Sequence, residues 1–287
     1  MSFVHRRDAP ADQNDPGLHP LDRLLAERRP IVMGILNLTP DSFADGGRFD
    51  DPARALAHAR RMIAEGADIV DVGGESTRPY PGMHPVSADA ELARVMPVLP
   101  QVVALGVPVS IDTMKAAVAA RALAAGATIV NDVWGLQGDP KMAGVVATHR
   151  VPVVVTHNRE AADPAIDILA DIEAFFARSL DIAARAGIER RRIVLDPGIG
   201  FGKTPEQSLA AIAGLGRLRA FGLPLLVGIS RKRFINAVVP TAPQERLAGS
   251  IAGNVLAVLE GAAIVRVHDV AETVQALRVA AAIRAAR

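Results

Sequence analysis

The sequence predicts a single-domain α/β protein, a (β/α)8 TIM barrel behind a polar N-terminal arm, and three observations carry that prediction. First, eight short and nearly unbroken apolar runs begin near Ile31, Asp68, Pro108, Thr128, Val151, Arg192, Leu223 and Ala263. Such runs suit strands buried on both faces of a parallel sheet. Second, helical stretches separate them, among them Ala53–Glu65, Lys115–Ala125, Ile168–Ala186, Pro205–Phe221 and Arg246–Leu259. Strand followed by helix, repeated around the chain, closes into a barrel. Third, one junction recurs: Gly66-Ala67-Asp68-Ile69-Val70, Gly126-Ala127-Thr128-Ile129-Val130 and Gly261-Ala262-Ala263-Ile264-Val265. In each, the glycine ends a helix in the left-handed conformation and the β-branched pair starts the next strand. An open doubly wound sheet is the rival, but it wants Gly-x-Gly-x-x-Gly after the first strand; here that strand runs into Asn37-Leu38-Thr39-Pro40.

Taken in order, residues 1–20 are polar and carry Pro10, Pro16 and Pro20, which reads as a flexible arm, and residues 21–287 form the barrel domain. Leu21–Leu25 suit a short helix ahead of the first strand. The 287 residues, half of them hydrophobic, suffice for one large core. A net charge of +1 gives no footprint for nucleic acid or an anionic membrane. The absence of cysteine excludes disulfides and thiolate chemistry. No apolar run is long enough to span a bilayer, and the first residues lack the apolar segment of a secretory signal, so a soluble cytoplasmic protein is expected.

In such a barrel the active site lies at the C-terminal ends of the strands. Here every apolar run ends in polar residues: Asn37; Asp71 and Glu75; Asp112 and Thr113; Asn131 and Asp132; His157 and Asn158; Asp196; Ser230, Arg231, Lys232 and Arg233; Arg266 and His268. Taken singly, many have ordinary structural roles; Asp132 could cap a helix and Asp71 could hold a loop. Taken together, they predict a site, because unpartnered polar groups are costly to bury. Arg266 and His268 stand two apart on a strand, on one side, and suit phosphate or diphosphate. Asp112, Asn131 and Asp196 supply donors and acceptors for the edge of a planar heterocycle. Lys232 stays open between hydrogen bonding to a ring, standing between two substrates, and Schiff-base chemistry. The glycine-rich stretch Asp196–Lys203 lacks Walker spacing and is a weak phosphate-loop candidate. Two long βα loops, Leu38–Asp50 and Gly73–Ser87, suit lids or specificity loops.

Several blocks resemble the dihydropteroate synthase family of pterin-binding barrels. They are Met33–Phe43 with Asp45-Gly46-Gly47, Asp71–Pro79, Ser110–Thr113, Asn131-Asp132, Asp196–Lys203, Gly228–Lys232 and Arg266–Val270, in order over residues 31–287. The resemblance implies condensation of a dihydropterin methyl diphosphate with 4-aminobenzoate. It implies a pterin held by Asp112, Asn131, Asp196 and Lys232. The diphosphate would be held by Asn37, Arg266 and His268, with Mg²⁺ near Asn37. Thr77, Arg78, Pro79 and Phe201 would border the 4-aminobenzoate site, with Lys232 between the substrates. Asp41 and Phe43 would lie on the first loop, and Asp41, Lys232, Arg266 and His268 would form the catalytic set. A homodimer through the outer helices is also implied. Departures from the family pattern fall at Thr156, Ile199 and a second loop lengthened around Tyr80–Pro85. Three alternatives predict different behaviour: a corrinoid-linked methyltransferase dispenses with the Arg266/His268 pair, a Schiff-base aldolase uses Lys232 covalently, and a non-catalytic homologue only binds pterin.

Overall fold

The computed structural model describes residues 18–39, 52–75 and 86–286. Its strands are β1 (Ile31–Asn37), β2 (Ile69–Gly73), β3 (Val109–Asp112), β4 (Ile129–Asp132), β5 (Val153–Thr156), β6 (Ile193–Asp196), β7 (Leu226–Val227) and β8 (Ile264–Val267). All pair in parallel, in the spatial order β6-β5-β4-β3-β2-β1-β8-β7. The remaining seam, between β6 and β7, is joined by a single parallel bridge, Leu195 to Leu225, with Leu195 N–H donating to Pro224 O at 2.9 Å. Each expected strand is therefore present within a few residues of its expected start. Gly66, Gly126 and Gly261, at the recurring junction, have φ of 103°, 103° and 107°, as the sequence repeat requires.

Helices cover the outside of the sheet: α2 (Pro52–Ala64), α3 (Ala88–Val95), α4 (Leu99–Val103), α5 (Ala116–Ala124), α6 (Met142–His149), α7 (Ile168–Ala186), α8 (Pro205–Ala213), α9 (Leu215–Leu218), α10 (Arg233–Val238), α11 (Leu247–Leu259) and α12 (Val270–Ala285). The one expected helix that differs is Pro205–Phe221, which breaks into α8, α9 and a 3-10 turn. The break falls at Gly214, a poor helix former, and Leu169 of α7 packs where a side chain at that position would stand.

Two apolar layers hold the barrel. The larger lies between sheet and helices. The smaller fills the barrel's lower half with Ile31, Met33, Ile69, Ile129, Val154, Val194, Leu226 and Ile264. Leu21 joins this inner cluster from α1 (Pro20–Ala26), which starts one residue inside the stretch assigned to the arm. The helix is capped by His19, whose Nδ1 accepts from Leu21 N–H at 3.1 Å. Each such fully buried side chain contributes about 1.5–3 kcal/mol.

Strand side chains alternate, so the next inward residue on each strand lies one layer higher. Asp71 follows Ile69 in this way, Asn131 follows Ile129, Thr156 follows Val154, Asp196 follows Val194 and Arg266 follows Ile264. The registers Ile35↔Asp71, Asp71↔Ser110, Asp112↔Asn131 and Thr156↔Asp196 bring these residues to neighbouring heights. The barrel is thus apolar below and polar at its C-terminal mouth.

Candidate active site

A cavity at that mouth is lined by Ile35, Asn37, Glu75, Asp112, Phe201, Gly228, Ser230, Lys232, Arg266 and His268. A larger groove lies at the opposite end, between the α1–β1 turn, α11 and α12; Leu25, Val258 and Leu277 line it with Arg28, Arg29 and Arg284, and no acid–base constellation lies there.

The centre of the mouth is an ion-pair cluster. Arg266 Nε donates to Asp71 Oδ2 at 2.6 Å, and Arg266 Nη2 to Asp112 Oδ2 at 2.6 Å. Asn131 Nδ2 donates to the same Asp71 oxygen at 3.1 Å. The two carboxylates hold the guanidinium firmly in its charged form despite burial. Burial raises the Asp112 carboxyl to about 7; the Arg266 guanidinium opposes the shift and the nearby Asp71 carboxylate adds to it. Asp71 Oδ1, Asp112 Oδ1, Ser110 Oγ and Thr156 Oγ1 are buried without a hydrogen-bond partner among the described residues. Buried polar groups normally find partners, so unpaired carboxylate oxygens near the mouth, with hydroxyls beside them, fit a ligand rich in N–H groups.

Asp196 is buried too, which raises its carboxyl above the ordinary value, against the opposing pull of Lys232. It accepts from Gly198 N–H at 2.7 Å, so the strand's last side chain also shapes the turn after it. That turn needs glycine: Gly198 has φ of 64°, and a side chain there would run into the carbonyl of His157. Lys232 donates to Ile199 O, and its Nζ stands 4.4 Å from the centroid of the Phe201 ring. A cation and an aromatic face therefore stand side by side at the cavity wall.

On the other side, Ser230 Oγ accepts from His268 N–H at 3.2 Å and lies 3.0 Å from His268 Nδ1. In the Ser-Arg-Lys-Arg run, Ser230 and Lys232 line the cavity. Arg231 turns to Asp269 in a bidentate pair, and Arg233 opens α10. Lys115 bonds both Glu75 and the fully buried Glu91 behind the cavity wall, while Glu75 Oε1 accepts from Val86 N–H at 3.0 Å.

The mouth brings together Asn37, Asp112, Asn131, Asp196, Phe201, Lys232, Arg266 and His268. Asp132 and His157 do not face the cavity. Asp132 accepts from Trp134 and Leu136 N–H in a turn, rather than capping a helix, and burial raises its carboxyl to about 6. His157 is buried behind the Asp196–Lys203 turn. Asp41, Phe43, Thr77, Arg78 and Pro79 lie outside the described residues, as does the lengthened tip around Tyr80–Pro85. Ile199 is fully buried, with its carbonyl on Lys232. Asp71 stands among the strand-end residues expected to form a site but outside the pterin and diphosphate sets, and the structure gives it the Arg266 guanidinium. Its signal was its place two residues beyond Ile69, on the face that β8 shares with Arg266.

A family model described as pterin binding enzyme matches residues 33–268, spanning this constellation from β1 to His268. The chain belongs to the dihydropteroate synthase family. It is 49% identical over 245 residues to a dihydropteroate synthase of Bacillus subtilis, covering 85% of each chain. A Xanthomonas albilineans dihydropteroate synthase solved with 4-aminobenzoic acid superposes with a TM-score of 0.85 at 46% identity, over 90% of this chain and 94% of that one. The same enzyme solved with 7,8-dihydropteroate gives a TM-score of 0.82 at 43% identity, with the same coverage. The eight-stranded barrel expected from sequence is the family's fold.

Proposed function

We propose that the chain condenses (7,8-dihydropterin-6-yl)methyl diphosphate with 4-aminobenzoate, giving 7,8-dihydropteroate and diphosphate for folate biosynthesis. One observation carries this reading: a single mouth joins heterocycle-reading acceptors, Asp112 and Asp196 with Asn131, to an anion-facing pair, Arg266 and His268, beside the Phe201–Lys232 wall. A corrinoid-linked methyltransferase needs the first set but not the second.

In this reading Asp112, Asn131, Asp196 and Lys232 hold the pterin. Arg266, His268 and Asn37 face the diphosphate. The C–O bond to the methylene breaks with its electron pair leaving on diphosphate, and fixed positive charge stabilises that anion as it forms. The pterin ring, faced by buried carboxylates, shares the positive charge left on the methylene carbon. The arylamine nitrogen, against Phe201 and Lys232, then gives its lone pair to the methylene carbon and releases a proton. Asp41, Thr77, Arg78 and Pro79, which the family resemblance adds to the site, lie outside the described residues. The donor set suits Mg²⁺ brought in on the diphosphate: Asn37 offers one oxygen, and this ion commonly takes few protein ligands beside phosphates and waters. When bound it would neutralise charge on the leaving group.

The test is turnover: purified protein, the two substrates and Mg²⁺, with dihydropteroate followed by mass spectrometry. The expected result is product formation dependent on both substrates. Pterin binding without product would leave a binding protein and overturn the enzymatic reading.

Among the described residues no helix is long and apolar enough to cross a membrane, in keeping with a cytoplasmic enzyme. The working form is a homodimer through the outer helices. Leu256 and Leu259 on α11 and Val279 and Ile283 on α12, two helices packed on each other, are 45–59% exposed and give this side of the outer ring an apolar surface. Sedimentation should give a dimer, and Leu256→Glu with Ile283→Glu should give a folded monomer. A wild-type monomer at micromolar concentration would overturn this assignment.

A further inference from the structure

The lysine within the glycine-rich turn takes no part in the chemistry above, yet it is built into the fold with care. Lys203 is 9% exposed, and its Nζ has three acceptors: His157 Nδ1 at 2.6 Å, Gly198 O at 2.9 Å and Phe201 O at 3.1 Å. His157 Nε2 lies 3.0 Å from Asp171 Oδ2, which also accepts from Arg159 Nη1 at 2.8 Å. The Asp171 carboxylate fixes the imidazole proton on Nε2, so Nδ1 accepts from Lys203. Three acceptors match the three N–H groups of an ammonium, and a neutral amine is one donor short.

The turn is therefore held from two sides. Lys203 takes the carbonyls of Gly198 and Phe201 from behind, while Lys232 takes the carbonyl of Ile199 from the cavity. Beyond Lys203 the chain is fixed by Thr204, which caps α8 in a reciprocal pair with Gln207. Phe201 N–H donates to Gly198 O at 3.0 Å, and the buried Lys203 ammonium holds both that carbonyl and the carbonyl of Phe201, whose ring forms the cavity wall beside Lys232.

We infer that Lys203 is a positioning residue for the second substrate, its ammonium setting the place of the Phe201 ring and so the affinity for the arylamine. This inference rests on the proposed condensation. It goes beyond it by naming a group that touches neither substrate. The charged groups around Lys203 are Asp196, Lys232, Asp171 and Arg159, and burial outweighs them, pulling its amine down to about 7. The sign follows: as pH rises through this value a donor is lost and the turn loosens. Asp112 titrates in the same range but faces the pterin, and its protonation acts in the opposite direction, at low pH.

The experiment compares wild type, Lys203→Met, and Lys203→Cys before and after aminoethylation with 2-bromoethylamine. The chain has no cysteine of its own, so alkylation in denaturant followed by refolding acts at this site alone. Displacing a binding wall by a fraction of an ångström is costly, so Lys203→Met should raise KM for 4-aminobenzoate roughly tenfold or more, with KM for the pterin diphosphate changed less than about threefold. Aminoethylation should restore the arylamine KM. Wild type should show that KM climbing between about pH 6 and about pH 9, and Lys203→Met should not. Parallel losses for both substrates, no recovery on aminoethylation, or a flat wild-type profile would overturn the inference while leaving the condensation intact. A wild type that makes no dihydropteroate would instead overturn the functional reading, and the inference with it.

Discussion

Arg266→Ala is expected to lower kcat/KM by about 10²–10³-fold, the range seen when one preorganised charge-stabilising donor is lost. The diphosphate ester should lose more affinity than the bare pterin, because the guanidinium faces the leaving group. The variant should also lose about 3–5 kcal/mol of stability, because removing one partner leaves buried carboxylates uncompensated. Asp71 is fully buried and Asp112 nearly so, and both now lean on Arg266 at 2.6 Å. Acid should relieve the defect. With the cation gone, Asp112 takes up a proton more readily, so the gap in stability between variant and wild type narrows as pH falls. Titration calorimetry with both ligands, and chemical denaturation at two pH values, check the two halves. Equal affinity losses for ester and bare pterin would mean that the anion is held elsewhere.

Asp112→Asn should weaken pterin binding by about 10–10²-fold, since a hydrogen bond to a charged group contributes about 1.5–3 kcal/mol. One Asp112 oxygen is held by Arg266, and the other is buried with no partner among the described residues. An amide would present a donor where the ring's own N–H groups need an acceptor. The pH dependence has two opposed signs. The folded carboxyl is raised to about 7. The intrinsic stability contribution is therefore fully present below the unfolded value of about 4 and is lost as pH rises through the folded one. Pterin binding needs the ionised form, so affinity falls as pH drops below the same value. Apo melting temperature and pterin-induced stabilisation should thus move in opposite directions between pH 5 and pH 8, roughly the interval bracketing the folded value. In Asp112→Asn this component of both trends should vanish. A wild-type pterin affinity flat across that interval would sink the assignment.

The strand order and the mouth of the barrel were legible because a buried parallel strand leaves a short apolar run, and its polar end stands out. The glycine junctions carried the helix ends for the same local reason. Three features were not legible. Helix Pro205–Phe221 reads as one run despite Gly214 and Gly216, and the approach of Leu169 to Gly214 makes the break there. The specific role of Asp71 within the strand-end set was hidden because its partner, Arg266, is 195 residues away along the chain. His157 read as a mouth residue because sequence gives the end of a strand but not which way its last side chain turns; the carbonyl of His157 pressing on Gly198, and Lys203 behind it, are tertiary facts.

The single bridge between β6 and β7 makes that seam the thinnest part of the sheet, beside the five registered pairs that join β1 to β2. Local opening favours such places, and hydrogen exchange there should be the fastest of any strand pair in the barrel. Asp196 ends the strand on one side of this gap, and Lys232 lies on the loop leaving the other. A pterin gripped by both would act as a rivet, closing the hoop where the backbone scarcely does. Substrate binding and barrel integrity would then be thermodynamically linked, each protecting the other from the same breathing motion.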